Sequence, residues 1–335
     1  MTIEIPSAYA GRLLRSYLKL TLGLSSAVLA GLKNREDGIL INGKRVTVRH
    51  VICEGDILTL GDRDTEETAT ERVIPTDLPL SVLYEDDYVI ALAKPADMPT
   101  HPSHGHLTDT LANALAYRYR MAEEPFVFRP LGRLDRNTSG VVVVGKTRAA
   151  AGCLSRSLIH GEVTKRYLAI VVGSLPTDEN FDAGQLSAVC LPHTIDAPIF
   201  RPDSAGIRRA VGDETTQGAV RALSRYRVLA SNAGHSLLLC EPVTGRTHQL
   251  RVHLSHIGFP ILGDDIYGTP SERIGRHALH AISLTFPRPF WRTDEHDAEN
   301  VSEQFLTVTA PLPEDMVAVV RSLFGDKTAD TFMPI

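Results

Sequence analysis

Residues 131–147 read LGRLDRNTSGVVVVGKT, an apolar run from Val141 to Val144 led in by six mostly polar, turn-prone residues, Leu134 to Ser139. Four consecutive β-branched residues bounded by glycines predict a short buried strand, because β-branched side chains suit a pleated surface and the run is too short for a helix. The preface has two readings. Asp, Asn, Ser and Gly are the commonest turn formers, so Asp135 could only help the chain reverse. Alternatively, Asp135 is a carboxylate held against the core for chemistry.

Outward from this stretch the pattern is strand-rich. Upstream, VLYEDD (82–87) predicts a strand entering a turn, and YVIALAKP (88–95) predicts a buried strand stopped by Pro95. Leu107 to Met121 has helical spacing at Leu111, Leu115 and Tyr119, with Thr108 or Asp109 as the expected cap. Downstream come a helix from Arg148 to His160, a strand in KRYLAIVVG (165–173), a Gly/Pro-rich middle around Pro198 to Gly218, and strands in SRYRVLA (224–230) and HSLLLCEPV (235–243). Strands outnumber helices and the helices are unevenly interspersed. The expected class is therefore α+β with a mixed, largely antiparallel sheet. The polar insertion RTDEHDAENVSEQ (292–304) is expected to be an exposed hairpin loop.

The first 61 residues read as a separate small unit. RLLRSYLKL (12–20) puts Leu13, Leu14, Tyr17 and Leu18 on one helical face, with Arg12, Arg15 and Lys19 largely outside it. A second short helix follows, capped by Ser25 or Ser26 and buried through Val28, Leu29 and Leu32. ILINGKRV (39–46) then turns at Asn42-Gly43, a pair that tolerates positive φ, and GDILTL (55–60) is a closing strand. From Gly11 to Leu60 there are eight Lys/Arg and four Asp/Glu, a net charge of +4. The whole chain of 335 residues carries −5, so this unit is the basic one. Residues 62–77 read as a charged linker, and 78–330 as a second, larger domain.

A hydrophobic share of 43% suits a packed core and argues against a disordered chain. There is no apolar run of ~18 residues and no basic-then-apolar leader pattern, so the expectation is a cytoplasmic protein without a membrane partner. The four cysteines, Cys53, Cys153, Cys190 and Cys240, form no CxxC pair, which predicts reduced, mostly buried thiols and no zinc or disulfide framework.

What raises Asp135 above a turn residue is TGRTHQLRVHLSHIGFPILGDDIYG (244–268). It sets Arg246, His248, Gln249, Arg251, His253 and His256 among apolar neighbours. A buried carboxylate needs a cationic partner, or desolvation leaves it neutral. With GRLDRNTSG, KRYLAIVVG, LYEDDYVIALAKPADMPTHPS (83–103) and LHAISLTF (279–286) in order, the chain from about Leu80 to Leu312 resembles the RluA-type pseudouridine synthases. The two basic helices and short strands ahead of it resemble the small S-four-like RNA-binding module of a ribosomal small-subunit protein.

The resemblance implies an isomerase that converts uridines of ribosomal or transfer RNA to pseudouridine, without cofactor or metal and as a monomer. Asp135 would be the essential carboxylate, either nucleophile at C1′ or base at C2′. Tyr167 would lie under the uracil and help remove the C5 proton, and Arg251 would pair with Asp135. Arg133 would fill the space left by a flipped-out uridine or hold phosphate, and Arg246 and His248 would shape the loop or contact phosphate. Arg12, Arg15, Lys19, Lys44 and Arg45 would bind RNA from the amino-terminal module, raising its local concentration without taking part in chemistry. One departure stands out: Gly132 occupies the place where the family usually has His.

Three other readings compete. HPSHGH (101–106), or His248 with His253 and His256, could suggest a metal site, but neither set comes with a Cys, Asp or Glu pattern typical of one. A glycoside hydrolase built on Asp135 lacks a partner acid on a comparable loop. A catalytically inactive RNA-binding protein of the same fold would be free to lose Asp135, Tyr167 or Arg251, and this chain has all three.

Overall fold

In the computed structural model, which describes residues 2–24, 26–61, 73–178, 189–204, 206–289 and 304–332, the chain opens with a small sheet unit. Strand β1 (Thr2–Glu4) precedes α1 (Leu14–Ser16), which widens into a π-helical turn over Tyr17–Thr21. Helix α2 (Ser26–Lys33) leads to β2 (Ile39–Ile41), β3 (Lys44–Arg45) and β4 (Ile57–Leu60). The four strands pair antiparallel in the order β1-β4-β2-β3, with Asn42 and Gly43 at φ 50° and 74° in the β2–β3 turn. Leu14, Tyr17, Leu18, Leu29, Leu32, Ile41 and Leu58 close one core.

Leu13 corrects the expected helical face, because it is 48% exposed. It is the extended residue that precedes the first helical turn (φ −69°, ψ 134°), so its side chain leaves the face that Leu14, Tyr17 and Leu18 bury. Ser25, residues 62–72 of the expected linker and residues 292–303 of the expected hairpin loop lie outside the described residues.

The larger part runs β5 (Ser81–Glu85), β6 (Val89–Lys94), α3 (Leu111–Met121), β7 (Ser139–Gly145), α4 (Arg148–Ile159) and β8 (Thr164–Val172). It continues with β9 (His193–Asp196), the short pair β10 (Ile199–Phe200) and β11 (Ala210–Val211), β12 (Leu223–Asn232), β13 (His235–Pro242) and α5 (Gln249–His256). It ends with β14 (Leu279–Pro287), β15 (Phe305–Thr309), α6 (Glu314–Phe324) and α7 (Asp326–Asp330). Among the described residues nine strands form one sheet, β5-β6-β7-β14-β8-β13-β12-β9, with β15 also on β14. Among the described strands of this sheet only the β7–β14 pair is parallel. The class is α+β, with a mixed, largely antiparallel sheet.

The valine run explains the layering. Val141 and Val143 pack with Val89, Ala91 and Leu154 of α4, whereas Val142 and Val144 pack with Ile90, Leu92 and, from α3, Leu111 and Leu115. All seven residues of β7 are buried, which is why the strand reads as a continuous apolar run rather than an alternating one. Each fully buried valine contributes about 1.5–3 kcal/mol. Gly140 (φ 120°) is required here, since a Cβ would stand 2.2 Å from the Ala281 carbonyl oxygen on β14.

Helix α3 starts at Leu111 and not at Leu107, with Thr110 rather than Thr108 or Asp109 as its cap. The reason is a capping box: Thr110 Oγ1 accepts from the Asn113 N–H, and Asn113 Oδ1 accepts from the Thr110 N–H. Asn113 Nδ2 also donates to the Ile74 carbonyl at 2.7 Å, so the end of the expected linker is tied down on α3.

The amino-terminal unit sits on α4. Ala149 joins its core, Cys153 Sγ donates to the Leu22 carbonyl at 2.7 Å, and Arg156 Nη1 donates to the Lys19 carbonyl at 2.9 Å. Among the described residues no helix is long and apolar enough to cross a membrane.

Candidate active site

Residues 129–131 lie antiparallel to the end of β7, with Leu131 N donating to Val143 O at 2.7 Å and Gly145 N to Arg129 O at 2.9 Å. Between them the chain loops out and returns through a turn closed by Thr138 N to Asp135 O at 3.1 Å. Asp135 is thus the first residue of a β-turn, a position that favours Asp. The closing bond is made by its backbone carbonyl, not by its carboxylate.

The loop is anchored almost residue by residue. Thr100 Oγ1 donates to Leu134 O (2.9 Å), Lys94 Nζ to Arg136 O (3.0 Å), and Arg276 Nη1 to Asn137 O (3.1 Å). Thr138 Oγ1 pairs with His277 Nε2 at 2.8 Å, and Ser139 Oγ with His280 Nδ1 at 2.9 Å. Lys94 is 1% exposed and also donates to the carbonyls of Pro95 and Met98, both at 2.7 Å. Burial pushes its amine down to about 7, while the charge of Asp135 pulls it back up. Burial also pushes His277 down to about 3, assisted by Arg251, and His280 down to about 4, so both hold the loop as neutral imidazoles.

Facing Asp135 is the first turn of α5. His248 enters it in a left-handed conformation (φ 59°), and Gln249 fixes the entry by accepting from Arg246 N and Thr244 Oγ1 and donating to Leu223 O and Ser224 Oγ. Arg251 then points inward, where Asp264 holds it with two hydrogen bonds, from Nε at 2.7 Å and from Nη2 at 2.8 Å. Burial alone would raise the Asp264 pKa, but Arg251 and the N–H groups of Ile266 and Tyr267 outweigh it and hold the carboxylate below its usual range. The remaining nitrogen, Nη1, stands 3.7 Å from Asp135 Oδ2, and His248 Nε2 stands 3.8 Å from the same oxygen.

Both distances exceed hydrogen-bond reach. The Asp135 carboxylate therefore faces two nitrogens without bonding either, and its side chain keeps 20% exposure. Tyr167 lies half-buried on β8, between the cores on the two sides of the site. Burial raises its phenol pKa and Asp135 raises it further, so the ring is held as the neutral phenol.

Of the residues singled out in the sequence, Asp135, Tyr167, His248 and Arg251 come together. Arg133 is exposed on the same loop and depresses the pKa of nearby His101, for which burial is the larger cause. Arg246 stays outside the cluster, donating to the Arg221 carbonyl at 3.0 Å. Arg12, Arg15, Lys44 and Arg45 are exposed on the amino-terminal unit, while Lys19 is half-buried with Nζ on Ser26 Oγ at 3.0 Å.

Two of these histidines have other partners. His106 pairs with Asp109 at 2.6 Å, and buried His253 bridges Ser224 Oγ and the Ala197 carbonyl. Among the described residues no three His, Cys, Asp or Glu side chains gather as metal ligands.

Sequence reasoning did not assign roles to Lys94, Thr100, Thr138, Asp264, Tyr267, Arg276 or His277. Asp264 carried a signal, since it stands in the GDD of the same segment as Arg251 and a buried guanidinium needs an acid. Tyr267, whose hydroxyl meets His248 Nδ1 at 2.9 Å, carried none.

A family model described as RNA pseudouridylate synthase matches residues 88–256, which contain Asp135, Tyr167, His248 and Arg251. The uncharacterised RNA pseudouridine synthase YjbO of Bacillus subtilis is 33% identical over 300 residues, spanning 90% of this chain and 95% of the relative. Ribosomal large subunit pseudouridine synthase D of Nitrosomonas europaea is 36% identical over 294 residues, spanning 85% and 76%. In fold, human RNA pseudouridylate synthase domain containing 4 superposes with a TM-score of 0.52 at 23% identity, covering 72% of this chain and 92% of its own. With a family model across half its length and near-full-length relatives above 30% identity, the chain belongs to the RNA pseudouridylate synthase family, RluA-type isomerases that act on RNA.

Proposed function

We propose that this RNA pseudouridine synthase acts on ribosomal RNA through Asp135, as a cytoplasmic monomer that needs no cofactor. The observation that carries the reading is the Asp135 carboxylate, held by its loop backbone, without a hydrogen bond among the described residues, 3.7 Å from Arg251 and beside Tyr167. Relatives named as ribosomal large subunit pseudouridine synthases favour ribosomal over transfer RNA.

The reaction breaks the C1′–N1 bond, turns the uracil, and joins C1′ to C5; the C5 proton leaves and N1 gains one. Asp135 would start it by attacking C1′ or by taking the C2′ proton, with Arg251 balancing the carboxylate's charge and His248, its pKa lowered by burial, beside it as a neutral imidazole. Tyr167 enters as a neutral phenol. It can take the C5 proton only in step with passing its own to Asp135 or to water, while its ring stacks under the uracil. The target uridine must be flipped from its stack to reach the loop, at a cost of a few kcal/mol, and exposed Arg133 is suited to the vacated space.

The amino-terminal unit, with its net +4 and exposed Arg12, Arg15, Lys44 and Arg45, would serve as an S-four-like RNA-binding domain, Lys19 at its seat on α4. The test is to map pseudouridines in cellular RNA with and without the protein, and to follow tritium release from RNA labelled at uridine C5. A large-subunit ribosomal uridine that reverts on deletion is expected. A lost pseudouridine confined to transfer RNA would overturn the ribosomal assignment.

A further inference from the structure

Lys165 stands two residues before Tyr167 on β8, so both side chains leave the strand on one face, while Arg166 between them turns the other way to pair with Glu241. The shared face is the one that meets the catalytic loop. A Cβ added at Gly132, which is exposed and has φ 88°, would lie 3.1 Å from Lys165 Nζ. The lysine is half-buried, and its ammonium lies against the loop at Gly132, three residues from Asp135.

The buried cations around it are partnered. Lys94 has three carbonyls, Arg166 has Glu241, Arg251 has Asp264, and Arg276 has Asp315 in two hydrogen bonds. Lys165 makes no hydrogen bond or ion pair among the described residues, and burial, with no opposing acid, lowers its pKa. A cation desolvated without a partner is costly to the free protein and gains most when an anion arrives. A side chain at position 132 would stand against this ammonium, and Gly132 leaves that space open.

We infer that Lys165 is a substrate-binding residue that holds a backbone phosphate of the RNA at the target uridine, through the opening left by Gly132. This deepens the reading of the Asp135 site and rests on it. The ligand is a phosphodiester rather than a uracil oxygen, because an unpaired full charge is matched by a full charge, and lysine acts toward phosphate as a compact point charge.

The test uses the full-length protein and a synthetic RNA stem-loop carrying the uridine found by mapping. Tritium release by the unaltered protein comes first; if none occurs, the reading of the site fails, independently of Lys165. Lys165→Met, which keeps an unbranched stem, is expected to weaken RNA binding roughly tenfold and to lower the salt slope of log Kd by about 0.7. Its single-turnover rate at saturating RNA is expected to fall less than threefold, and Lys165→Arg should restore most of the affinity.

In a second arm one uncharged methylphosphonate is walked across the phosphates at and beside the target, first with the unaltered protein and then with Lys165→Met. One position should cost the unaltered protein about tenfold in affinity and cost Lys165→Met little more. If no position costs more than twofold, or if Lys165→Met binds with unchanged affinity and salt slope, the phosphate role is overturned. It is also overturned if the variant loses saturating rate while keeping its affinity, since Lys165 would then act on the chemistry or only support Tyr167.

Discussion

Asp264 and Asp135 flank the same guanidinium, that of Arg251, and each sits in a tight turn of the backbone. Asp264 is 0% exposed and accepts four hydrogen bonds, two from Arg251 and one each from the N–H groups of Ile266 and Tyr267. Asp135 keeps 20% exposure and its carboxylate accepts none among the described residues, with its nearest nitrogens at 3.7 and 3.8 Å. A carboxylate whose lone pairs are all engaged is a strut; one left unbonded is available to a substrate. The constraint that Asp135 itself does not carry is borne by its loop, through Thr100, Lys94, Arg276, His277 and His280. Preorganisation of this kind lets a reactive group stay reactive without becoming mobile.

The sharpest way to break the contrast is on the strut. Asp264→Ala strands the Arg251 guanidinium in a buried site and should cost about 3–5 kcal/mol in urea unfolding, along with activity. If the loss is under about 1 kcal/mol, Asp264 is not the partner that fixes Arg251. Next in size is the acid response of the loop's anchors. His280 is held at about 4 in the folded chain and sits near 6.5 when unfolded, so its contribution is fully present above pH 6.5. It is lost as pH falls through about 4, a change of roughly 3 kcal/mol, with His277 adding in the same direction. His280→Gln should flatten that part of the stability profile.

A smaller loss, about 1–2 kcal/mol, is expected for Thr138→Val. Thr138 Oγ1 pairs with His277 Nε2, and His277 Nδ1 already has no partner among the described residues. The valine would leave both ring nitrogens unpaired while loosening the turn after Asp135. Smaller still in stability is Tyr167→Phe, expected to unfold within about 0.5 kcal/mol of the unaltered protein. Its turnover should fall about a hundredfold if, as proposed, the phenol handles the C5 proton. Unchanged turnover would reduce Tyr167 to packing.

Much of this arrangement was legible before the structure. The Val141–Val144 run, the helix after Thr147 and the antiparallel character of the sheet follow from periodicity and β-branched content. The α3 cap was misplaced because that helix end depends on the Thr110–Asn113 side-chain hydrogen bonds, which spacing does not reveal, and Leu13 because the backbone there is still extended and the helix begins one residue later. Asp135, Tyr167, Arg251 and His248 were found through motif resemblance, and the structure brings them together. The anchors were not legible for a different reason. A lysine before a proline reads as the polar end of a strand, whereas Lys94 is among the most buried side chains in the molecule. Which residue satisfies a loop carbonyl is set by tertiary contacts more than a hundred residues apart, as with Arg276 and Asn137.

The most direct test of the account is Asp135→Asn, read for stability and chemistry together. The amide keeps the shape of the side chain and removes the charge. Because no hydrogen bond to the carboxylate is lost, unfolding should shift by no more than about 0.5 kcal/mol and RNA binding by less than threefold, while tritium release from C5-labelled RNA should vanish. Substantial tritium release by a well-folded Asp135→Asn would contradict the claim that the unbonded carboxylate performs the reaction.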